Sequence, residues 1–400
     1  RSVAAEAVTV DRALVLSAPP PNAAVPGLAS VLAMSDDWEF SSFDLEETSG
    51  GRPLWALARK VFADPWYGFR TSVLGRDREW RRMNKFMQLI DASYIHNPYH
   101  NSMHGADVLQ GVHYFLRRTG LACAIDELDA LALLVASAAH DVAHPGLNAS
   151  FLAATRTTLS VRYSDRNTLE MHHCYTTFRL LWSTDCDWTV MMRSEAQHAF
   201  RAAVVQFILA TDLKEHFRVI SEFRASRKVP PPHQGRDGST LDVTMADTAL
   251  RNQFFADPMK KSLALSMAIK CADLSHPARP WHIHRRWTDL VQEEFFQQGD
   301  REKALHLAVS PFSDRSALDL PKSQVGFISF MVQPVMDEFA SFVVASAISL
   351  PLRYLDRNKR RWEAIRDGTA QDTGDPEAEL SSTATATGGR ERASPTACSV

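Results

Sequence analysis

Apolar residues recur at helical spacing through most of this 400-residue chain, and this periodicity constrains the fold more than any other feature. In LQGVHYFLRRTG, Leu109, Val112, Phe115 and Leu116 form a broad apolar face, and Gly120 is a typical helix stop. The segments ELDALALLVASAAHD, FRAAVVQFILATD, SLALSMAIKCAD and WTDLVQEEFFQQGD have the same character, whereas strand-like alternation between turn signals is scarce. The sequence therefore predicts an all-α fold, a compact multi-helix domain.

Both ends of the chain differ in composition from the middle. Residues 1–35 contain SAPPPNAAVPG without a sustained amphipathic repeat, and residues 368–400 contain no aromatic residue and are rich in Gly, Ser, Thr and Ala. Such segments bury too little apolar surface to offset the entropy of ordering them. We therefore expect a disordered linker over 1–35, one domain over 36–367 and a disordered tail over 368–400. The prolines and glycines of RKVPPPHQGRDGST mark one internal loop.

Charge and composition exclude several classes of partner. The net charge is −3, with 44 Lys and Arg against 47 Asp and Glu, so the chain has no overall electrostatic footprint for nucleic acid or an anionic membrane. Apolar stretches such as FASFVVASAISLPL are shorter than the roughly 18–20 residues of a membrane span. Five cysteines without a CxxC pair argue against a cysteine zinc site and suit a reducing compartment. We expect an intracellular, cytoplasmic protein without nucleic-acid or membrane contacts in this segment.

Histidines form three pairs at i,i+4 spacing, where chance would give roughly half a pair. The pairs are His96/His100, His100/His104 and His140/His144. Spacing alone does not decide between a metal site, a proton relay and a solvated surface. The surroundings of each pair must decide.

Proline places the first two pairs relative to a helix. Pro98 disfavours helix before it and is tolerated in a first turn, so the helix is predicted to start near Pro98 or Tyr99. His96 then lies in the preceding loop as a solvated residue. His100 and His104 would share one face of the first two turns.

The third pair follows an apolar helix directly. ELDALALLVASAA runs into HDVAHPG, which puts His140 and Asp141 at the rim of the core. Charge is costly there unless it is paired or bound to a cation. The alternative is an ordinary capped helix end with a Pro-Gly stop. His144, one turn later, is expected to support a ligand by a hydrogen bond.

A second apolar helix, SLALSMAIKCAD, ends in Asp273. A lone aspartate there is more often a cap, but beside His104, His140 and Asp141 it becomes a natural fourth ligand. Two histidines and two aspartates suit Zn²⁺, Mn²⁺ or Fe. If Asp141 used both oxygens, it could bridge to a second ion such as Mg²⁺ that is held largely by water. The acids available to hold those waters are Glu170 in LEMHH and Asp212 in ILATD.

Six motifs in order carry a family resemblance: YHNSMHGAD, HDVAHPG, LEMHH, ILATD, CADLSHP and KSQVGF. Together with WTDLVQEEFFQQGDRE they make residues 36–365 resemble the catalytic domain of class I cyclic nucleotide phosphodiesterases. The resemblance implies a fold of about sixteen helices and a small-molecule cyclic nucleotide substrate. It leaves a homodimer open.

The resemblance also implies a role for each matching residue. A first metal, usually Zn²⁺, would be bound by His104, His140, Asp141 and Asp273, and Asp141 would also touch a second metal, Mg²⁺ or Mn²⁺. Residues that would support these ligands and their waters are His144, Glu170, Thr211 and Asp212. His100 would be the general acid. Residues that would contact substrate are Tyr99, His276, Val291, Phe295, Gln324 and Phe327, with Gln324 at the purine edge and Phe327 stacked opposite Val291 and Phe295.

The chemistry explains why such groups are needed. A cyclic phosphodiester is anionic and repels hydroxide, so its hydrolysis needs an activated water and charge neutralisation, which two ions provide. The departing 3′ oxygen needs a proton, and a protonated His100 could supply it. The predicted activity is hydrolysis of 3′,5′-cyclic nucleotides to 5′-nucleoside monophosphates, which ends a cyclic nucleotide signal.

A few positions depart from the family pattern and keep alternatives open. Ala143 falls where an acid is common, and Ala149 falls where Asn often follows the HPG turn. His276 resembles the dual-specificity branch, where cAMP-specific members often carry Asn, and His284 falls where cAMP-specific members have Tyr, so the base preference is open. We expect cAMP as the main substrate, with cGMP possible. The competing interpretations are another HD-type metal phosphohydrolase and a weakened regulatory relic that only binds nucleotide.

Overall fold

The computed structural model describes residues 27–229 and 241–372, which fold into seventeen α-helices and one two-stranded ribbon. The helices are α1 Leu28–Ala33, α2 Ser42–Thr48, α3 Pro53–Ala63, α4 Asp77–Ser93, α5 Ser102–Arg118, α6 Glu127–Ala139, α7 Ala149–Ala154, α8 Thr158–Tyr163, α9 Thr168–Leu181, α10 Ser194–Leu209, α11 His216–Ser226, α12 Thr248–Ala256, α13 Pro258–Asp273, α14 Trp281–Ala304, α15 Leu320–Phe327, α16 Gln333–Ala340 and α17 Ala345–Arg366. Short 3₁₀ turns occur at Pro65–Tyr67, Leu121–Cys123, Thr189–Met191, Leu213–Glu215 and His276–Ala278, and a π turn occurs at Ile328–Val332. The all-α prediction is confirmed.

The ribbon closes around the predicted internal loop. Strand β1 (Lys228–Val229) pairs antiparallel with β2 (Leu241–Asp242), and Lys228 lies opposite Asp242. Residues 230–240, most of the predicted loop, lie outside the described residues.

Helix α6 lies in the centre of the core because its residues are almost all small and apolar. Every residue from Ala130 to Ala139 is buried, and α6 packs against α5 and α10. A helix that is apolar all round must be covered on every side. Because α6 ends at Ala139, His140 and Asp141 follow at the edge of this core, as the sequence predicts.

A close crossing of α5 and α13 brings the other two candidate ligands together. A Cβ atom at Gly111 would lie only 3.0 Å from Cβ of Ala272, so the helices approach this closely because residue 111 has no side chain. Asp273 follows Ala272 directly, and His104 lies two turns before Gly111. The crossing therefore places these two side chains at the same end of the helix pair.

The start of α5 differs from the prediction. The helix begins at Ser102, because the Asn101 side chain caps it by accepting from the backbone N–H groups of Met103 and His104. The prediction that it starts near Pro98, with His100 on the helix face of His104, is therefore wrong. His100 lies in the loop before α5, where its ring still comes within 5.8 Å of the His104 ring.

An N-terminal arm, residues 27–48, packs across α5 and the start of α14. Trp38 is buried and donates from Nε1 to the Ala278 carbonyl oxygen at 2.6 Å, while the Arg279 guanidinium lies 4.2 Å over its ring. Phe43 contacts Trp287 with ring centroids 4.8 Å apart. The arm thus reaches the turn that follows Asp273.

Because of the arm, the packed domain begins earlier in the chain than the sequence predicts. Leu28 is only 2% exposed and α1 is helical, so the packed structure begins before residue 36, the predicted boundary. The boundary was placed too late because six helical residues are too few for a recognisable periodic pattern. At the other end, α17 ends at Arg366, beside the predicted limit at 367. Residues 1–26 and 373–400 lie outside the described residues, so the prediction of disorder there stays untested.

Helix α17 contains Pro351 in its interior. Proline has no N–H, so the Ala347 carbonyl loses the donor that a regular helix would provide. The Tyr114 hydroxyl of α5 donates to that carbonyl oxygen at 2.8 Å instead. This bond fixes α17 against α5. Within the described part of the chain, no helix combines the length and the apolar character that a membrane crossing requires.

Candidate active site

Four side chains from three parts of the chain meet at one point: His104 near the start of α5, His140 and Asp141 after α6, and Asp273 at the end of α13. Nε2 of His104 lies 3.2 Å from Nε2 of His140 and 3.3 Å from Oδ1 of Asp273. Nε2 of His140 lies 3.2 Å from Oδ2 of Asp141 and 3.3 Å from Oδ1 of Asp273. The structure therefore assembles the quartet that the sequence predicted as metal ligands.

These separations fit a bound divalent ion. Four ligands at about 2.0–2.2 Å around a tetrahedral centre have donor atoms roughly 3.3–3.6 Å apart. His140 places its Nδ1 3.0 Å from the Ser137 carbonyl oxygen and donates to it, which leaves the Nε2 lone pair free to bind a cation. Burial alone would lower the pKa of His140, but Asp141 and Asp273 raise it well above its usual range. The two carboxylates beside His140 thus favour a positive charge at the centre of the quartet.

The second oxygen of Asp141 faces His173, which the sequence analysis missed. Nδ1 of His173 donates to the Val142 carbonyl at 2.8 Å, and its Nε2 lies 3.4 Å from Oδ1 of Asp141. Burial lowers the pKa of His173 to about 4, so the ring is neutral and both facing atoms are acceptors. The buried Nε2 atom has no hydrogen-bond partner in the described residues. A water held between the two groups would satisfy both, which suits a second, partly hydrated ion.

His100 lies beside the quartet and is held by Glu294, another residue that the sequence analysis missed. Nδ1 of His100 donates to Oε1 of Glu294 in a short bond, and Oε2 accepts from the backbone N–H groups of Tyr99 and His100 at 3.0 Å each. Nε2 of His100 lies 3.7 Å from Oδ2 of Asp141, and so points toward the quartet. Burial alone would lower the pKa of His100, but Glu294 and Asp141 raise it to about 9. The imidazole is therefore held protonated at neutral pH.

The HPG turn packs against the loop that carries His100. The His144 ring stacks on the His100 ring at 3.9 Å, and its Nδ1 accepts from the Gly146 N–H at 3.0 Å. In the described contacts His144 thus touches the predicted acid rather than hydrogen-bonding a member of the quartet. Asn97 joins both loops by donating to the carbonyl oxygens of His144 and His100 at 2.7 and 3.0 Å.

Gly146 is required at this contact. Its φ of +69° is in the left-handed region, and a Cβ atom there would lie 2.6 Å from Oδ1 of Asn97.

The other predicted supporting residues lie in the first turn of α9 and just after α10. Asp212 accepts from Nδ2 of Asn167 at 2.8 Å, and the Thr211 hydroxyl donates to the Ile208 carbonyl at 2.8 Å. Burial and the charge of Asp212 raise the pKa of Glu170 to about 7. The nearby Lys270, a buried lysine in α13 that the sequence analysis passed over, donates to the Ala210 carbonyl at 2.7 Å.

The predicted purine residues lie next to the quartet. The Tyr99 ring lies 4.6 Å from that of His104 and 6.2 Å from that of His276. The Phe327 ring is parallel to the His276 ring with centroids 5.9 Å apart. Gln324 is buried, and its Oε1 has no hydrogen-bond partner in the described residues.

A chain of hydrogen bonds leads from helix α17 to His276. Trp362 donates from Nε1 to Nε2 of His284 at 2.7 Å, and Nδ1 of His284 lies 3.1 Å from Nδ1 of His276. Burial lowers the pKa of both histidines, to about 3 for His276 and well below the usual range for His284. Because Trp362 occupies the acceptor nitrogen of a neutral His284, the His284 proton lies on Nδ1 and is donated to His276. Because Nδ1 of the neutral His276 accepts this bond, its one ring N–H is at Nε2.

The apolar residues predicted on the other purine face lie on α14, as does Glu294. Val291 packs against the cluster formed by Phe43, Tyr99, Met103, Ile283 and Trp287, and Phe295, one turn further, is partly exposed. Both therefore lie on the helix that also holds His100.

The two alanines that depart from the family pattern have different surroundings. Ala143 has φ of +62°, a left-handed conformation that is unfavourable for alanine and better tolerated by Asp, Asn or Gly. Ala149 is the first residue of α7, and Asn148 beside it caps the helix by accepting from the Phe151 N–H at 2.8 Å. Neither alanine belongs to the quartet.

Comparison with known proteins gives consistent matches. A family model described as 3′5′-cyclic nucleotide phosphodiesterase matches residues 99–351. A mouse protein named high affinity cAMP-specific and IBMX-insensitive 3′,5′-cyclic phosphodiesterase 8A is 33% identical over 345 residues, 85% of this chain and 40% of that protein. The mouse dual specificity calcium/calmodulin-dependent 3′,5′-cyclic nucleotide phosphodiesterase 1C is 34% identical over 313 residues, 77% of this chain and 40% of that protein.

A solved structure shares the fold. The phosphodiesterase domain of a RhoPDE fusion protein from the choanoflagellate Salpingoeca rosetta superposes with a TM-score of 0.71 and 24% identity, covering 85% of this chain and 98% of that chain. This chain spans less than half the length of the curated relatives named above. The family model covers more than half of this chain, and the relatives exceed 30% identity over most of it. The chain therefore belongs to the 3′,5′-cyclic nucleotide phosphodiesterase family.

Proposed function

We propose that this chain hydrolyses 3′,5′-cyclic nucleotides to 5′-nucleoside monophosphates with the help of two divalent ions. The observation that supports this most directly is the position of His100, which Glu294 holds beside the quartet with its Nε2 pointing inward. A metal-binding relic would need the quartet but not a protonated histidine next to it. An HD-type phosphohydrolase acting on another substrate would not need the buried Gln324 and the stacked Phe327.

The proposed metal sites follow the donor atoms. His104, His140, Asp141 and Asp273 would hold Zn²⁺, since nitrogen and carboxylate ligands at these separations suit it. Asp141 would also hold Mg²⁺ or Mn²⁺, and His173, Glu170 and Asp212 would hold the waters of that ion. When bound, such ions neutralise the phosphate and lower the pKa of water, which makes a nucleophile available near neutral pH.

The protein's own residues then complete the reaction. Attack of hydroxide on phosphorus forms a new P–O bond and breaks the bond to the 3′ oxygen, and His100 donates its Nε2 proton to that oxygen, so the ring opens to a 5′-monophosphate with a free 3′-hydroxyl. Glu294 stabilises the imidazolium before this transfer and keeps the ring in one orientation through its bond to Nδ1.

Base recognition is proposed for Gln324 and His276. Adenine offers a donor and an acceptor at its edge and guanine offers the reverse, and a Gln amide can match either by rotation. Because Oε1 of Gln324 has no bond to another described side chain, nothing in the described residues fixes the amide in one orientation. A free amide supports hydrolysis of both nucleotides, and we propose cAMP as the main substrate because the similar mouse 8A protein is named cAMP-specific.

The decisive experiment compares hydrolysis of cAMP and cGMP by chelator-treated protein before and after adding Zn²⁺ with Mg²⁺ or Mn²⁺. Metal-dependent release of the 5′-nucleotide from both, faster from cAMP, is the expected result. A protein that binds metal fully but turns over neither nucleotide would contradict the proposal.

Two variants separate the proposed roles. His100→Ala should keep its metal content but lose most turnover, by about 10²–10⁴-fold, the usual contribution of general acid catalysis. Asp273→Ala should lose both metal and activity. Unchanged turnover in the first variant, or full metal occupancy in the second, would remove that residue from its role.

A further inference from the structure

The outer face of α9 carries exposed apolar and aromatic side chains in one stripe. Met171, Tyr175 and Trp182 are 41%, 48% and 55% exposed. Tyr175 follows Met171 by four residues, and Trp182, the residue directly after the helix, follows it by eleven. Residues at such spacing share a face. The inner face of the same helix carries Glu170 and His173 toward the active site. The stripe is therefore the solvent side of a helix that is otherwise well packed.

Arginines surround this stripe. The Arg162 and Arg179 guanidinium carbons lie 5.7 and 5.8 Å from the Tyr175 ring centroid, and that of Arg201 lies 5.7 Å from the Trp182 ring. Arg166 is exposed in the turn between α8 and α9. None of the four forms an ion pair with an acidic side chain of the described residues, whereas Arg218, Arg285 and Arg315 elsewhere each form two.

Cavities open at both ends of the stripe. One of about 590 Å³ is lined by Arg162, Tyr163, Ser164, Arg166, Asn167 and Met171. The other, of about 310 Å³, lies beside Phe178, Trp182, His198 and Arg201. Neither is lined by a member of the metal-ligand quartet. From residue 171 to residue 182 the helix rises roughly 17 Å, at 1.5 Å per residue. An extended chain of about five residues covers that length.

We infer that this α9 face, formed by Arg162, Arg166, Met171, Tyr175, Arg179, Trp182 and Arg201, is a docking surface for an acidic peptide segment of a partner protein, one that alternates carboxylates with apolar or aromatic side chains. Arginine matches carboxylates with paired hydrogen bonds. The four guanidinium groups outnumber the neighbouring carboxylates, Asp165 in the turn before α9 and Asp187 beside the smaller cavity, so the surface is locally positive. Exposed Trp, Tyr, Met and Arg are also the residue types enriched in protein interfaces. The inference does not depend on the catalytic proposal.

Other occupants fit this face less well. A second copy placed on it by twofold symmetry would bring the same arginines together, and like charges oppose such contact. An anionic membrane would attract the arginines, but the apolar side chains are separated by cations and border cavities, whereas a membrane-binding face presents a continuous apolar stripe. A peptide side chain can enter a cavity between two carboxylate contacts.

The test measures fluorescence anisotropy of a labelled peptide that alternates glutamate with leucine and tyrosine. We expect saturable, salt-sensitive binding to the full chain, and none by the matched peptide with glutamine in place of glutamate. Arg179→Gln with Arg201→Gln should weaken binding at least tenfold, and Trp182→Ala should weaken it likewise. Arg357→Gln, an exposed arginine on α17, is the matched control and should bind normally.

Three outcomes would overturn the inference. The first is no saturable binding up to about 1 mM, the weak limit of specific association. The second is equal binding of the glutamine peptide. The third is that the chain binds phosphatidylserine vesicles and not the peptide, and that the same variants abolish vesicle binding. That result would assign the surface to membranes. An unfolding temperature equal to that of the wild type shows that a variant is folded. Weaker but measurable peptide binding by Arg179→Lys would support the view that the peptide carboxylates need the planar guanidinium group as well as its charge.

Discussion

At the scale of single residues, the pairing of Glu294 with His100 sets the pH range in which the proposed acid works. Because His100 must carry a proton to act, the raised pKa of about 9 keeps it active through neutral pH. Glu294→Gln removes the negative charge but keeps a hydrogen-bond acceptor. We expect its alkaline limb of kcat/KM to move at least one pH unit lower, with a roughly twofold or larger loss at pH 8.

The neighbouring Glu293 provides the matched control. It pairs with Arg315 at the surface and does not contact His100, so Glu293→Gln should leave the profile unchanged. An alkaline limb that stays in place in Glu294→Gln would show that Glu294 does not set the proton affinity of His100.

A second residue, Asp91, couples stability to pH without belonging to the quartet. It is buried and accepts from the Trp55 N–H at 2.8 Å, and burial raises its pKa from 3.8 to about 7. Because the folded state holds this proton more tightly than the unfolded state, the contribution of Asp91 to stability is greatest below about pH 4 and is lost as the pH rises through about 7. The shift corresponds to roughly 4 kcal/mol at most, at 1.36 kcal/mol per pKa unit.

Asp91→Asn should remove this dependence, since the amide oxygen can still accept from Trp55 without carrying charge. We expect a gain in unfolding free energy at pH 8 of about 1–3 kcal/mol by urea denaturation. The exposed Asp356→Asn serves as control. A variant that is less stable than wild type at pH 8 would show that the carboxylate is stabilising in its charged form.

At the scale of elements, the interior proline of α17 predicts a coupling between two helices. Tyr114 supplies the donor that Pro351 lacks, so Tyr114→Phe should lower the unfolding free energy by about 1–3 kcal/mol, the cost of a buried carbonyl left without a partner. Pro351→Ala restores the backbone donor to Ala347. Tyr114→Phe should therefore cost less in that background, with a coupling of roughly 0.5–1.5 kcal/mol in a double-mutant cycle. Additive effects would disprove the compensation.

Elements with long apolar repeats could be predicted from sequence, whereas the loops that complete the site could not. Helix α6 was located closely because its buried residues are continuous and it stops at a polar pair. The helix α5 starts later than the sequence predicts because Asn101 caps it, and the chain at Pro98 is still a loop. Which residue caps a helix depends on which loop carbonyl and amide groups are free to bond, and the sequence alone does not show this. Asn101 also donates to the Asn97 and Pro98 carbonyls at 3.0 and 3.1 Å, which stabilises the loop instead of a first turn.

Glu294 and His173, which the sequence did not identify, each stand next to a residue of the same type, and only the fold shows which of the two faces the site. Glu293 and Glu294 are adjacent acids in EEFF, and sequence alone does not say which of them faces inward on α14. His172 and His173 are likewise adjacent, and one of them faces Asp141 only because of how α9 packs. The i,i+3 spacing of Glu170 and His173 could have indicated a shared face.

At the scale of the whole molecule, the quartet ties together α5, the end of α6 and α13. A bound ion should therefore stabilise the folded state, since ligands assembled by folding bind it better than the unfolded chain does. We expect chelation to lower the melting temperature in differential scanning calorimetry and Zn²⁺ to restore it. Asp273→Ala is the control and should show little response to either treatment. A wild-type melting temperature that does not respond to chelation would contradict this link.

Other whole-molecule predictions remain to be tested. A homodimer, which the family resemblance leaves open, and a cytoplasmic location, which the composition suggests, both stay predictions. The family could be predicted because six motifs keep their order, while the N-terminal arm, which lies before the family-model match, had no periodic signal to reveal it.

The spread of the quartet along the chain has a consequence during synthesis. Asp273 follows His104 by more than a third of the chain length, and the N-terminal arm must wait for Ala278 and Arg279 to complete its contacts. A ribosome-bound chain that has not yet released residue 273 holds three of the four ligands, and its Trp38 has no lasting burial site. If the quartet binds an ion as proposed, loading comes late in synthesis, because a chain that ends before residue 273 lacks the fourth ligand, and one that ends before residue 278 lacks the carbonyl to which Trp38 donates.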